Sequence, residues 1–165
     1  MLSGKTQELK NSSFEGFYTI GSLMKNSCST IPRQKGVYLV LNHKNEHSFL
    51  DENVGGHFKG KNPTLPINKL IDNWVGKSRI LYIGKAGGIS SKATLHSRLK
   101  QYMRFGSGEP EGHWGGRLIW QIKSNRKLLI AYKMLNGVEP REYEKTLISN
   151  FIESYKKLPF ANLAH

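Results

Sequence analysis

A chain of 165 residues, 38% of them hydrophobic, is long enough to bury one core without disulfide or metal staples, so a single domain is expected. Its one cysteine, Cys28, excludes an internal bridge, no apolar run reaches the roughly 18 residues of a membrane span, and no secretory or lipidation signal is present, so a soluble, cytoplasmic chain is expected. Twenty-five Lys and Arg against 12 Asp and Glu give a net charge of +13 and a pI near 9.9, a balance within the range of nucleic-acid binders that favours a polyanionic partner, a merely solubilising basic surface being the alternative; charge alone does not name the partner.

Residues 1–35 are polar and mixed, with a semi-apolar run at Phe17-Tyr18-Thr19-Ile20 and a short helix expected around Ser22–Lys25; they read as an N-terminal arm. Gly36-Val37-Tyr38-Leu39-Val40-Leu41 is a run of β-formers entered through glycine, the pattern of a buried strand. The stretch 43–79 is long and irregular, with a short helix at Asn68–Trp74, and reads as an insert. Arg79–Gly84 is a second strand, and Lys85-Ala86-Gly87-Gly88 turns from it toward a helix over Thr94–Phe105 capped by Thr94 or a nearby serine. After a glycine-rich loop to Gly116, the alternation in Arg117–Ile122 predicts a strand, paired as a hairpin with Leu128–Tyr132 across Ser124-Asn125-Arg126. Pro140 opens a long helix to Leu158. The whole is an α+β arrangement: a small antiparallel sheet of three or slightly more strands with helices packed on it.

Both long helices carry a charged residue where an apolar one belongs. On the Pro140–Leu158 helix, Tyr143, Leu147, Ile148, Phe151, Ile152 and Tyr155 form the apolar half and Glu144 falls inside it, whereas Glu142 and Glu153 lie on the polar side. A carboxylate retained there binds a cation, pairs with a base or does chemistry, because burying it alone costs several kcal/mol or shifts its pKa; a structural ion pair with an arginine is the alternative. In Thr94–Phe105, Arg98 interrupts the arc of Leu95, Leu99, Tyr102 and Met103, and Arg98 and Tyr102, four apart, are placed to converge on one phosphate or simply to stack at the core's edge.

In order along the chain stand Gly36-Val37-Tyr38, Tyr82-Ile83-Gly84-Lys85-Ala86, Leu95-x-x-Arg98-Leu99-x-x-Tyr102, Glu144-x-x-Leu147-Ile148 and Pro159-x-x-Asn162. That series resembles the GIY-YIG nucleases, and a chain of this size with an insert between the first two motifs is most similar to the family's stand-alone type II restriction endonucleases. The resemblance implies a three-stranded antiparallel sheet flanked by helices, and divalent-metal-dependent hydrolysis of DNA phosphodiesters. It casts Tyr38 and Tyr82 as the paired tyrosines, Lys85 as their helper, Arg98 and Tyr102 as phosphate contacts, Glu144 as ligand to Mg²⁺ or Mn²⁺, and Asn162 as a supporting polar group. Tyr38 is the expected general base, its phenol acidified by Lys85 and Arg98. The Tyr38–Tyr82 gap exceeds that of the minimal module, and Gly112-His113-Trp114-Gly115-Gly116-Arg117 lies outside the core pattern.

For contacts to double-stranded DNA beyond the reacting phosphate, Lys59, Lys61, Lys77, Arg104, His113 and Arg117 are the candidates; a lone loop histidine with no zinc-ligand spacing reads as a surface or DNA-contacting group. A single active site must act twice to cut a duplex, so a homodimer on a short palindrome is expected, with the arm and insert supplying specificity and dimer contacts. A repair or mobile-element nicking enzyme and a catalytically silent DNA-binding module are the alternatives.

Overall fold

The computed structural model describes residues 3–45 and 47–164; Met1 and Leu2 of the expected arm, Glu46 of the insert and His165 lie outside the described residues. It is an α+β fold in which a four-stranded antiparallel sheet, ordered β1-β4-β2-β3, is covered on both faces. The strands are β1 (Glu15–Thr19), β2 (Gly36–Leu41), β3 (Ile80–Ala86) and β4 (Leu129–Met134). Every residue of β2 is buried, as its unbroken apolar run requires of a strand flanked on both sides and packed on both faces.

Alternation along the strands sorts side chains between two cores. Tyr38, Val40, Tyr82, Ile130 and Tyr132 face one, joined by Leu81 at the β2–β3 register irregularity and roofed by α2 (Ile20–Lys25), α4 (Leu95–Gly106) and the 3-10 turn Arg117–Gln121. Val37, Leu39, Ile83 and Ala131 face the other, against Leu147, Ile148 and Phe151 of α5 (Pro140–Tyr155) and Leu9 of α1 (Thr6–Asn11). Helix α4 begins in a capping box in which Thr94 and Ser97 satisfy each other's backbone N–H. Helix α5 has Pro140 in its first turn and stops at Lys156, which takes a left-handed φ of 61°.

Two expectations are corrected here. The N-terminal segment does not project as an arm: β1 pairs with β4, and Leu9, Phe14, Ile20, Leu23, Cys28 and Ile31 are buried. Nor do Arg117–Ile122 and Leu128–Tyr132 form a hairpin, because β4 already has β1 on one side and β2 on the other. Arg117–Gln121 instead coils as a 3-10 turn, and its backbone is taken up by the insert through Leu50 N–H to Gln121 O at 2.8 Å and Val54 N–H to Trp120 O at 3.2 Å. The buried Gln121 amide completes the clamp, donating to Leu50 O and Leu65 O and accepting from Leu65 N–H. Within the insert, α3 runs Ile67–Asn73.

Both sheet edges are blunted. β1 carries a bulge between Gly16 and Tyr18. Along the outer edge of β3, Ala161 N–H donates to Leu81 O, and the Asn162 amide both accepts from Ile83 N–H and donates to Ile83 O, each at 2.9 Å. β3 is therefore an edge strand whose far side is lined by the C-terminal segment, with α4 above it and α5 below.

Candidate active site

Tyr38 lies opposite Gly84 in the β2–β3 register. A Cβ on Gly84 would sit 2.4 Å from Cζ of Tyr38, so only glycine there lets the phenol lie across the neighbouring strand. Gly36 is held for the same reason, since a Cβ would meet Lys133 O at 2.2 Å. The glycines of the two tripeptides thus share one task, which is to let tyrosine rings and backbones approach closely at this end of the sheet.

Three tyrosines cluster above β2 and β3: the Tyr38 ring centroid is 6.0 Å from that of Tyr82 and 6.3 Å from that of Tyr102. His113 closes the cluster, stacked on Tyr102 at 4.1 Å and fully buried. The expectation of a surface histidine is corrected accordingly. Its Nδ1 is 2.8 Å from Gly115 O, which can only accept, so Nδ1 carries the hydrogen. Burial, and next Arg98, lower its pKa to about 3, leaving the ring neutral with a lone pair on Nε2. The Tyr38 hydroxyl, 2.8 Å from Nε2, therefore donates to it. The outcome is a directed chain from Tyr38 to His113 to Gly115, with the Tyr82 ring packed beside it.

Neither paired tyrosine is acidified. Burial drives Tyr38 well above 10 and Tyr82 up to about 12; Arg98 pulls both down but is outweighed. The expected depression by neighbouring cations is corrected by desolvation, since Tyr38 is 1% exposed and Tyr82 8%. Tyr102 departs from expectation too: it is fully buried and donates to Gly116 O at 2.7 Å, so it positions the glycine loop and does not reach toward a phosphate beside Arg98.

Five of the seven expected catalytic residues do converge. Tyr38, Tyr82, Lys85, Arg98 and Glu144 line one cavity of about 570 Å³ at the end of β3, although they span more than a hundred positions of sequence. Tyr38, Tyr82 and Arg98 come from the α4 side of the sheet, Glu144 from the α5 side, and they meet because β3 is an edge strand around which both helices reach. Glu144 is half-buried, not sealed in the core. Arg98, also half-buried, donates to Gln101 Oε1 at 2.6 Å, which fixes its guanidinium along the cavity wall.

A second cavity, of about 390 Å³, shares Tyr82, Lys85 and Glu144 with the first and adds Arg117, Arg141 and Asn162. Arg117 stacks on Trp114 with its guanidinium carbon 4.6 Å from the ring centroid and donates to Trp114 O. Arg104 lines the first cavity but is paired with Glu111 at 3.5 Å. The other expected DNA contacts lie elsewhere. Lys59 and Lys61 are exposed on the insert, and Lys77 lines a separate cavity with Asn42, His43 and Arg79 at the opposite end of the β2–β3 pair.

Sequence reasoning overlooked the burial of His113 and the cations Arg141 and Lys145. The signal for the first was the pair Gly115-Gly116, where a Cβ on Gly116 would strike the Tyr82 ring at 2.8 Å and the Tyr102 hydroxyl at 2.9 Å; two glycines in a row there mark a loop laid directly on aromatic rings. No group of three or more His, Cys, Asp or Glu capable of holding a metal occurs among the described residues. No family model, curated protein or solved structure matches the chain.

Proposed function

We propose that the protein is a divalent-metal-dependent endonuclease of the GIY-YIG type that hydrolyses DNA phosphodiesters, most simply as a sequence-specific restriction-type enzyme. The observation that carries this reading is the convergence of Tyr38, Tyr82, Lys85, Arg98 and Glu144 on one cavity of a chain whose charge is +13. A cavity walled by the Arg98 fork, Lys85 and the Glu144 carboxylate, with Glu111 already paired to Arg104, suits a phosphodiester with one cation.

The donor set fits Mg²⁺ or Mn²⁺. Such ions are commonly held by one or two carboxylates, with waters and substrate phosphate oxygens completing the shell, so Glu144 alone is a sufficient protein ligand. When bound, the ion supplies Lewis acidity to the phosphate. Arg98, held by Gln101, binds the non-bridging oxygens through two N–H groups and stabilises the charge that builds on them. Lys85 adds a further positive charge from the floor of the cavity. Tyr82 lines both cavities, so its hydroxyl oxygen can accept from a water there and orient it toward phosphorus, while Tyr38 beneath it is held by its bond to His113. Asn162 keeps the C-terminal wall on β3.

Because each chain has one such site, duplex cleavage calls for a homodimer or two successive cuts. The experiment is incubation of the purified protein with plasmid DNA and Mg²⁺ or Mn²⁺, beside an EDTA control. Discrete metal-dependent fragments are expected, and Tyr38→Phe, Tyr82→Phe and Arg98→Ala should each slow cleavage by about 10²-fold or more. Full activity in both phenylalanine variants would eliminate a role for the tyrosine hydroxyls; retardation of DNA without cutting would make the protein a binding module.

A further inference from the structure

We infer that the second cavity is a binding site for the phosphates flanking the one at Glu144, so that one DNA strand crosses the molecule from the Arg98 end, over Glu144, to an end formed by Arg117, Arg141 and Lys145. This rests on the nuclease reading above and adds the path of the substrate to it.

Three observations support the path. The two cavities adjoin, since both are lined by Tyr82, Lys85 and Glu144. Their charges differ: the first has Lys85, Arg98 and Arg104 against Glu111 and Glu144, with Arg104 already paired, whereas the second has Lys85, Arg117, Arg141 and Lys145 against Glu144 alone. The larger excess of positive charge therefore lies beyond the carboxylate, where only an extended polyanion could use it; a single phosphate seated beside Arg98 would not. Finally, the second cavity is organised. Arg117 is fixed by its Trp114 stack and its bond to Trp114 O, and the opposite wall is fixed by the Asn162 bonds to β3. Arg141 and Lys145, four apart on α5, repel each other on the exposed helix face, a penalty that a polyanion between them relieves.

Backbone phosphates, not base edges, are the ligand implied. The lining offers guanidinium and ammonium donors in a shallow trough, and such contacts hold a strand in register without reading sequence.

The test is fluorescence-anisotropy binding of a 30-base-pair DNA duplex to the full-length chain in EDTA, over a range of KCl concentrations, for the unsubstituted protein, Arg141→Ala/Lys145→Ala and Lys123→Ala/Lys127→Ala. The last pair lines a cavity elsewhere and removes the same charge. The trough variant should bind more weakly at every salt concentration, and its slope of log affinity against log salt should be shallower by about 1 to 2, while the control pair changes the slope by much less. Single-turnover cleavage at saturating DNA with Mg²⁺ should stay within about twofold of the unsubstituted rate for the Lys123→Ala/Lys127→Ala control, whose residues lie outside the site. Equal slopes for the trough and control variants, with the unsubstituted protein binding normally, would overturn the strand path and leave the nuclease reading intact. Absence of duplex binding by the unsubstituted protein at low salt would overturn both.

Discussion

Gly84 shows how little space the tyrosine cluster leaves. Alanine there would place a methyl group 2.4 Å from Tyr38 Cζ and 2.6 Å from its hydroxyl. The phenol would have to rotate, so Gly84→Ala should lower stability by about 1–3 kcal/mol in urea denaturation. It should reduce cleavage more than that loss explains, because the Tyr38 bond to His113 would be displaced. His113 carries its own pH signature. Its pKa in the folded chain is about 3 against an ordinary 6.5, so between these values the unfolded chain holds a proton that the folded chain does not. Stability contributed by the neutral ring is complete above about pH 6.5 and falls as pH drops toward 3, by on the order of 4 kcal/mol. Urea midpoints measured at pH 7, 5 and 4 should fall less steeply in His113→Gln than in the parent; parallel curves would place the acid sensitivity in other groups. At this scale the sequence was informative about which residues gather and less so about their state. Glu144 and Arg98 were conspicuous because they interrupt apolar arcs. The acidity of Tyr38 was misjudged because burial is a property of the packed molecule, and Arg98, which does pull its pKa down, does not offset its desolvation.

Elements with a strong local signature were legible, and those decided by competition for a sheet edge were not. Strands β2 and β3 and helices α4 and α5 each carry their own pattern and end signals, from the Thr94 cap to Pro140. Thr94→Ala, which removes the acceptor for Ser97 N–H, should cost about 1 kcal/mol. Arg117–Ile122 alternates like a strand, yet β1 arrives first in the chain and occupies the place beside β4. Nothing local in Glu15–Thr19 announces this, because a five-residue strand with a bulge and one half-apolar run looks like loop until its partner is known. The consequence is measurable: Phe14 and Leu9 are core residues, so Phe14→Ala should cost about 3–5 kcal/mol. A near-neutral change in the urea midpoint would restore the reading of the N-terminal segment as an arm outside the core.

Over the whole molecule, two helices approach the edge strand β3 from opposite faces of one sheet, and the proposed site lies where they meet. This explains why residues as distant as Tyr38 and Glu144 share a cavity, and why the motif order along the chain could be recognised while the path between motifs could not. The long insert is bound to the Arg117–Gln121 turn through Gln121, and Asn53 donates to Arg117 O, so the insert braces the segment that presents Arg117 and Trp114 to the trough. Among the described residues no helix is long and apolar enough to cross a membrane. In the proposed function, the carboxylate at the junction of the two cavities serves chemistry and is dispensable for folding and DNA binding. Glu144→Gln keeps the shape of the side chain and removes its charge, so the direct measurement pairs its single-turnover cleavage rate in Mg²⁺ with its affinity for the same duplex in EDTA. Cleavage reduced by about 10³-fold or more, with affinity unchanged or slightly tighter, is the predicted result. Parallel loss of binding and cleavage, with a lowered melting temperature, would make Glu144 a structural residue and contradict the account.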